Sequence, residues 1–244
     1  MNVLSIGNSF SQDAHRYLHQ IARADGVEVN AFNLYIGGCS LSRHYRNMLS
    51  QGREYTLEVN GSNTGFRVSL KEALLNRDWD VVTVQQVSQS APDYESYQPY
   101  LDELIAYVKA CAPKAKIALH QTWAYEQDSC RLREVAGYAD CRDMLRDIIS
   151  ANRAAAEHVG ADCLIPSGEL FSALLEQGAE KIHRDTFHAS LGLGRYALGL
   201  LWYRTLTGCA VGGNTFCDFD EPIAAEQIEN VKICVEKIAA KYGA

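Results

Sequence analysis

The sequence has no long apolar segment and no cluster of basic residues. A membrane-spanning helix needs roughly 18 to 20 consecutive apolar residues, and no run in this chain approaches that length. The 23 lysines and arginines are outnumbered by 30 aspartates and glutamates, which gives a formal net charge of -7. A protein that binds phosphate backbones needs a concentrated positive face. We therefore expect neither a membrane span nor a nucleic-acid partner.

The sequence also lacks any CxxC pair, although it contains 8 cysteines. Cysteines spread so widely are typical of free, buried thiols in a reducing compartment. The N-terminus has no basic segment followed by an apolar stretch, which a secretory signal would show. We expect a cytoplasmic protein if Met1 is the native start, and a secreted or periplasmic one if a signal peptide has been removed.

The composition is that of an ordinary globular chain. Apolar residues make up 47% of the 244 residues and charged residues 22%, enough to bury a sizeable core. No internal repeat, low-complexity tract or linker interrupts the chain. We expect a single domain over residues 1–244.

Short β-branched or apolar runs alternate with amphipathic helical segments. One such helix is expected over 100–112, and the last helix carries an apolar stripe that includes Val231 and Val235. This alternation predicts a parallel sheet covered by helices on both faces. The predicted strands are 3–6, 27–34, 80–84, 116–120 and 161–165.

Residues 54–69 break this alternation. Two short β-prone runs flank a segment that begins Asn60-Gly61, a pattern typical of an antiparallel hairpin. We expect the hairpin to sit beside the main sheet as a local insertion. The segment 123–136 is rich in charge and tyrosine, and is interpreted as a loop near the site or a solvated connection.

Ligands bind open parallel sheets at the carboxyl ends of the strands, so the residues after each strand matter most. Gly7 permits a sharp turn after the first strand, and Ser9 follows at the start of a helix. A serine there is either a nucleophile or a helix N-cap. The chain has no GxSxG elbow, which argues against the α/β-hydrolase arrangement.

Two further strand ends carry distinctive residues. Gly37 and Gly38 follow the second strand, where paired glycines let backbone N–H groups approach a ligand or simply form a turn. Gln85, Gln86 and Gln89 follow the third strand. Glutamine is a poor strand former and is costly to bury without partners, so these amides either face an oxyanion or hold a loop.

Asp185 lies three residues before His188, ahead of a long apolar helix. This spacing allows the carboxylate to accept the imidazole Nδ1–H, which leaves Nε2 free to take a proton from a serine. The DxxH pattern is weak evidence alone, and its combination with Ser9 raises the expectation of serine hydrolase chemistry.

These motifs resemble the SGNH (GDSL-like) hydrolase superfamily. More narrowly, they look like its bacterial branch known as DUF4886, and the resemblance spans most of the chain in the same block order. The blocks are GlyAsnSerPheSer at 7–11, TyrIleGlyGlyCysSerLeu at 35–41, ValThrValGlnGln at 82–86, HisGlnThrTrpAlaTyr at 120–125, and AspThrPheHis at 185–188.

The resemblance implies a flavodoxin-like, three-layer α/β/α fold and a serine esterase. Under it, Ser9 is the nucleophile, His188 the general base and Asp185 the residue that orients the base. The backbone N–H groups of Ser9 and Gly38 become oxyanion donors. The superfamily's third donor is an Asn side chain, for which this chain offers glutamine; Gln86 is favoured, with Gln85 and Gln89 as alternatives.

Other residues receive weaker expectations. The substrate pocket is expected to include Asn8, Gln85, Gln89, His120 and Trp123, although packing roles are as reasonable for His120 and Trp123. His15 and His19 have the i, i+4 spacing of metal ligands but no third ligand, so no metal is expected. The expected reaction needs no cofactor.

The leading hypothesis is therefore an esterase that hydrolyses a small acyl ester, with an O-acetyl group on a carbohydrate as the favoured substrate. The missing asparagine motivates a second hypothesis, a non-catalytic carbohydrate-binding or interaction protein on the same fold. A lipase or thioesterase is a third. The oligomeric state and the natural substrate are not indicated by the sequence.

Overall fold

The computed structural model describes residues 1–243. Seven strands form one sheet in the order β4-β3-β2-β1-β5-β6-β7. The strands are β1 (Asn2–Gly7), β2 (Asn30–Tyr35), β3 (Tyr55–Val59), β4 (Ser62–Val68), β5 (Val81–Val84), β6 (Lys116–Gln121) and β7 (Cys163–Pro166).

Five of the strands are parallel, and in space they run β2-β1-β5-β6-β7. Numbered among themselves, these strands have the flavodoxin-like order 2-1-3-4-5. The direction of strand progression therefore reverses between β1 and β5, where a crevice opens at the carboxyl edge. Strand β1, which is followed by Ser9, and strand β5, which is followed by the glutamines, both end at this crevice.

Helices cover both faces of the sheet and complete a three-layer α/β/α sandwich, which confirms the predicted fold class. Helices α1, α2, α8, α9 and α10 pack on one face, and α3, α4 and α5 on the other. Within residues 1–243 the α-helices are α1 (Ser9–His15), α2 (Leu18–Ala24), α3 (Leu41–Ser50), α4 (Leu70–Leu75), α5 (Tyr100–Cys111), α6 (Cys130–Glu134), α7 (Cys141–Val159), α8 (Ser167–Glu176), α9 (Leu193–Thr207) and α10 (Ala225–Lys241).

The central strands are buried on both faces because neighbouring side chains enter different cores. In β1, Val3 joins the core beneath α1 and α9, whereas Leu4 and Ile6 join the core beneath α3 and α5. All three are fully buried. Central parallel strands therefore read as continuous apolar runs, which explains why the sequence pattern located them.

The predicted second strand, 27–34, begins three residues late in the structure. Helix α2 ends in a turn in which Gly26 has φ +71° and the N–H of Val27 donates to the carbonyl of Ala22. This helix cap occupies residues 25–27. Val27 and Val29 are apolar, so the sequence pattern placed the start of the strand at residue 27, whereas β2 begins at Asn30.

The predicted hairpin is present as β3 and β4, and it is joined to the main sheet. Strand β3 pairs antiparallel with β2, so the hairpin extends the sheet at its edge. It also supports α1 through Glu58, which accepts hydrogen bonds from Asn33, at 2.8 Å, and from Gln12. Burial raises the pKa of Glu58, and these two hydrogen bonds offset part of the rise.

All 8 cysteines lie within residues 1–243 and are free. Cys39 and Cys234 are buried as predicted, but Cys130 and Cys217 are exposed, so the expectation of buried thiols is wrong for these two. Cys130 begins the short helix α6, and Cys217 lies in the connection between α9 and α10. Among the described helices, none combines the length and apolarity needed to span a membrane.

Candidate active site

Ser9 is the first residue of α1, directly beyond the carboxyl end of β1. The helix is capped by Asn8, whose Oδ1 accepts a hydrogen bond from the Phe10 N–H at 3.0 Å. The sequence allowed Ser9 to be either a nucleophile or the helix N-cap, and the structure gives the N-cap role to Asn8. The turn requires glycine before it, because a Cβ on Gly7 would lie 1.9 Å from Ser11 Oγ.

The hydroxyl of Ser9 meets the side chain of His188 across the crevice. His188 Nε2 lies 2.9 Å from Ser9 Oγ, and Nδ1 lies 2.8 Å from Asp185 Oδ2. The second oxygen, Oδ1, accepts the backbone N–H of His188 at 2.8 Å. The structure therefore brings together all three residues that the sequence selected, although Ser9 and His188 are 179 positions apart.

The carboxylate of Asp185 is the natural acceptor for an imidazole N–H. Partial burial raises its pKa, but the hydrogen bonds from the His188 ring and backbone outweigh burial, and the net pKa is lowered. Asp185 is therefore ionised at neutral pH. An ionised acceptor places the mobile proton of neutral His188 on Nδ1 and leaves Nε2 unprotonated toward Ser9.

The loop that carries Asp185 and His188 is closed on itself and strained. The Arg184 N–H donates to the His188 carbonyl at 3.0 Å. Thr186 has φ +69°, a conformation that a β-branched residue rarely adopts. It is held by a 2.8 Å hydrogen bond between its Oγ1 and Ser129 Oγ, and by the Glu126 N–H on its carbonyl. The 123–136 segment therefore braces this loop.

A buried carboxylate that the sequence did not suggest links the serine helix to this loop. Asp13, on α1, is fully buried and accepts two hydrogen bonds from Arg184 Nη1 at 2.9 and 3.0 Å. It also accepts the Ala189 N–H at 3.2 Å and Arg195 Nε at 2.8 Å. Arg184 and Ala189 flank Asp185 and His188, so one side chain fixes both ends of the loop.

A cleft of about 380 Å³ surrounds Ser9 and His188. Gly38 lines it with φ +59°, and within residues 1–243 nothing lies within 4 Å of where its Cβ would stand. The N–H groups of Gly38 and Ser9 find no acceptor in the described part of the chain. Two backbone donors are therefore available beside the serine hydroxyl.

The structure does not bring the favoured glutamine, Gln86, to this cleft. Its Nε2 donates to the Ser96 carbonyl at 2.8 Å, and its Oε1 accepts the N–H groups of Leu41 and Val87. The amide therefore ties the loop after β5 to α3. A buried amide must satisfy its own hydrogen bonds, and here the backbone supplies them.

The other two glutamines differ in their surroundings. Gln85 is buried beneath the site, where its Nε2 donates to Asn8 Oδ1 at 2.7 Å and its Oε1 lies 2.6 Å from His120 Nδ1. Gln89 is exposed and lines the cleft. Of these three glutamines, Gln89 is the one that lines the cleft, and it is therefore the remaining candidate for the third donor.

Asn8 lines the cleft, but His120 and Trp123 do not. His120 is fully buried, with Nε2 2.9 Å from Ser167 Oγ. Trp123 lines a separate apolar cavity of about 430 Å³ and donates from Nε1 to the Phe187 carbonyl at 2.7 Å. Both residues contact groups that line or underlie the cleft, Gln85 and Phe187, and neither lines the cleft itself.

His15 and His19 hydrogen-bond to different groups. His15 Nε2 lies 2.8 Å from Ser5 Oγ, and His19 Nδ1 lies 2.7 Å from the Val29 carbonyl.

Four buried histidines make stability depend on pH. Burial lowers the pKa of His15, His44 and His120 to about 3, and that of His183 to about 4. Between about pH 4 and the ordinary pKa near 6.5, the unfolded chain binds protons that the folded chain excludes, so the free energy of unfolding falls as pH falls. Within this window each histidine contributes about 1.4 kcal/mol per pH unit.

We expect urea unfolding at about pH 5 to give a clearly lower free energy of unfolding than at about pH 7. His44→Gln should make this dependence shallower, because the variant lacks one of the four groups. Ser50→Ala, at an exposed position on the same helix, is the control and should keep the dependence of the wild type. Equal slopes for His44→Gln and the wild type would refute the assignment.

The fold is that of the SGNH hydrolases. A protein from Slackia heliotrinireducens, described as a candidate SGNH hydrolase, superposes with a TM-score of 0.62 at 23% identity, over 84% of this chain and 98% of that one. An acetylxylan esterase, Axe2 from Geobacillus stearothermophilus, superposes with a TM-score of 0.52 at 14% identity, over 83% and 90%. At these identities the likeness establishes the fold alone.

The chain belongs to the DUF4886 family, a domain of unknown function, whose profile matches residues 2–232. The crystal structure of a DUF4886 family protein from Bacteroides uniformis ATCC 8492 is 30% identical and superposes with a TM-score of 0.92, over 98% of this chain and 95% of that one. The predicted family is therefore confirmed. No curated protein matches the sequence.

Proposed function

We propose that the protein is a serine esterase that hydrolyses a small acyl ester. The observation that carries this proposal is the continuous hydrogen-bonded chain from Ser9 Oγ through His188 to Asp185, at 2.9 and 2.8 Å. The fold adds support, since SGNH hydrolases share it. The chain of contacts has the order that nucleophilic catalysis by serine requires.

The reaction proceeds in two halves. Ser9 Oγ attacks the ester carbonyl while His188 Nε2 removes its proton, and Asp185 stabilises the imidazolium that forms. His188 then returns the proton to the departing alcohol oxygen, leaving an acyl group on Ser9. Water, deprotonated by the same nitrogen, attacks this acyl-enzyme, and His188 returns the proton to Ser9 Oγ as the acid is released.

The tetrahedral intermediate carries a negative oxygen that needs hydrogen-bond donors. The N–H groups of Ser9 and Gly38 supply two, and Gln89 supplies the third from the loop after β5. Gln86 is not available for this role, because its N–H groups donate to Ser96.

We expect Gln89→Ala to lower kcat for p-nitrophenyl acetate by about 10²-fold, the usual cost of removing one such donor. Gln86→Ala is the comparison, and should lower the melting temperature through its lost loop contacts while reducing kcat less. Wild-type kcat in Gln89→Ala would remove Gln89 from the oxyanion hole.

For the substrate we propose an O-acetyl group on a carbohydrate. The cleft is small, about 380 Å³, and Gln12, Tyr35 and Gln89 give it polar walls suited to hydroxyl groups. The shared fold of the acetylxylan esterase supports the same choice by analogy.

A panel of p-nitrophenyl esters tests the function directly. We expect hydrolysis of the acetate, with kcat/KM at least about 10-fold above that of the octanoate, because a small polar cleft gains little from a long acyl chain. Preference for the octanoate would favour a lipase or thioesterase. Absence of turnover on every ester would refute the esterase.

A non-catalytic carbohydrate-binding protein is the second candidate. The observation that favours it is the engagement of Gln86 away from the cleft, which leaves the oxyanion hole without the donor that the sequence favoured. Glycan binding by calorimetry, together with inertness toward all esters, would establish this alternative.

A further inference from the structure

The cleft around Ser9 has a charge opposite to that of the whole protein. The chain has a formal net charge of -7, yet two arginines and no aspartate or glutamate line the cleft within the described residues. The arginines are Arg131, on α6, and Arg184, on the loop before His188. Asp185 is hydrogen-bonded to the far side of the His188 ring, and Asp13 is buried beneath Arg184, so neither carboxylate lines the cleft.

Arg131 is free of a carboxylate partner. None of the ion pairs within residues 1–243 includes it. Its guanidinium carbon lies 4.4 Å from the centre of the Phe187 ring, a cation–π contact. Tyr125 is also close, and the guanidinium offsets part of the rise that burial causes in the pKa of that hydroxyl. Because no carboxylate within residues 1–243 pairs with Arg131, its N–H groups can bind the carboxylate of a ligand.

Arg184 is partly engaged. The hydrogen bonds of its side chain in the described structure all come from Nη1, toward Asp13 and the Ala189 carbonyl, so Nε and Nη2 remain unused. Its charge is offset by the buried carboxylate of Asp13. Arg131 is therefore the cation whose charge the cleft presents to a substrate.

The position of Arg131 indicates whether it faces the acyl part or the alcohol part of a bound ester. The Phe187 ring on which it stacks lies 3.9 Å, centre to centre, from the His188 ring. The alcohol that leaves must receive its proton from His188 Nε2, so the alcohol part lies on the histidine side of the cleft. Arg131 therefore faces the alcohol and not the acyl group.

We propose that the alcohol part of the substrate carries a carboxylate, which Arg131 binds. Within the proposed function, on which this inference rests, the substrate is an O-acetylated acidic sugar. The guanidinium edge matches a carboxylate in shape and charge. Positive charge in the cleft also attracts an anionic substrate toward a protein that otherwise repels it.

Two aryl acetates that differ in charge test the proposal. 4-Acetoxybenzoate carries a carboxylate on the alcohol part, and 4-acetoxybenzamide is its neutral counterpart. The measured quantity is the kcat/KM ratio of the first to the second, compared between variants so that intrinsic reactivity cancels. We expect Arg131→Gln to lower this ratio about 10-fold, the lower end for a lost charge-assisted hydrogen bond.

Three controls separate charge from other effects. Arg131→Lys keeps the charge and should keep most of the ratio. Arg133→Gln, on the same helix but outside the cleft, should leave the ratio unchanged. Raising the ionic strength from about 0.02 to about 0.5 M should shrink the ratio of the wild type, because salt screens exposed charges.

A ratio in Arg131→Gln equal to that of the wild type would overturn the proposal. If neither ester is hydrolysed by the wild type, the proposed function fails, and the carboxylate site is then tested by binding alone. The probe is 4-hydroxybenzoate, measured by calorimetry. The site predicts about 10-fold weaker binding to Arg131→Gln than to wild type, and equal binding would overturn it.

Discussion

Replacing Ser9 with alanine is expected to lower kcat/KM for p-nitrophenyl acetate by about 10⁴-fold or more, the loss seen when a serine nucleophile is removed from a complete triad. The physical reason is that no other hydroxyl lies against His188 Nε2, within residues 1–243, from which an acyl-enzyme could form. Steady-state hydrolysis at saturating and limiting ester concentrations measures this loss.

The same substitution should leave the fold intact. Asn8, not Ser9, caps α1, so the change removes no capping bond and should alter the free energy of unfolding by less than about 1 kcal/mol. Ser50→Ala, at an exposed position on α3, is the matched control and should keep full activity. Retained turnover in folded Ser9→Ala would show that the hydrolysis takes another route.

Replacing Asp13 with asparagine is expected to damage both stability and catalysis. Arg184 and Arg195, which are both largely buried, would lose their shared counter-ion, and breaking such a pair costs about 3–5 kcal/mol. The loop that carries His188 would also lose its anchor on α1. A displacement of about 1 Å at a catalytic group can cost about 10²-fold in rate, so kcat should fall by that order while KM changes less.

Asp220→Asn separates loop positioning from the general loss of an ion pair. Asp220 binds Arg195 at 2.9 Å and also Arg16, but within residues 1–243 it makes no hydrogen bond or ion pair with the loop from Arg184 to Ala189. This variant should lose stability while keeping kcat per folded molecule. Similar kcat in Asp13→Asn and the wild type, measured below both melting temperatures, would contradict the positioning role.

Sequence reasoning found the parts of the site that depend on strand ends. The apolar runs of β1 and β5 locate the carboxyl edge of the sheet, and Ser9 therefore had a predictable position. The DxxH spacing predicted how Asp185 would hold His188, because that contact is local in sequence. Neither Ser9 nor His188 alone indicates that the two side chains meet. That prediction came from the order of motifs in the family that the chain resembles.

The supporting contacts had no comparable signal. Asp13 reaches Arg184 and Arg195, which are 171 and 182 residues away, so no spacing indicates the pairing. One clue was present: Asp13 lies four residues after Ser9 and shares its helix face, where a buried charge needs partners. The direction of the Gln86 amide likewise depends on the loop that supplies Ser96, which the sequence pattern does not define.

The most direct test of the central claim is labelling with a fluorophosphonate, followed by mass spectrometry of the peptides. An activated serine reacts with this probe, and an ordinary surface hydroxyl does not. The account predicts one adduct, on Ser9, formed by the wild type and lost in folded His188→Ala. A wild-type protein that stays unlabelled, or an adduct on any other residue, would contradict it.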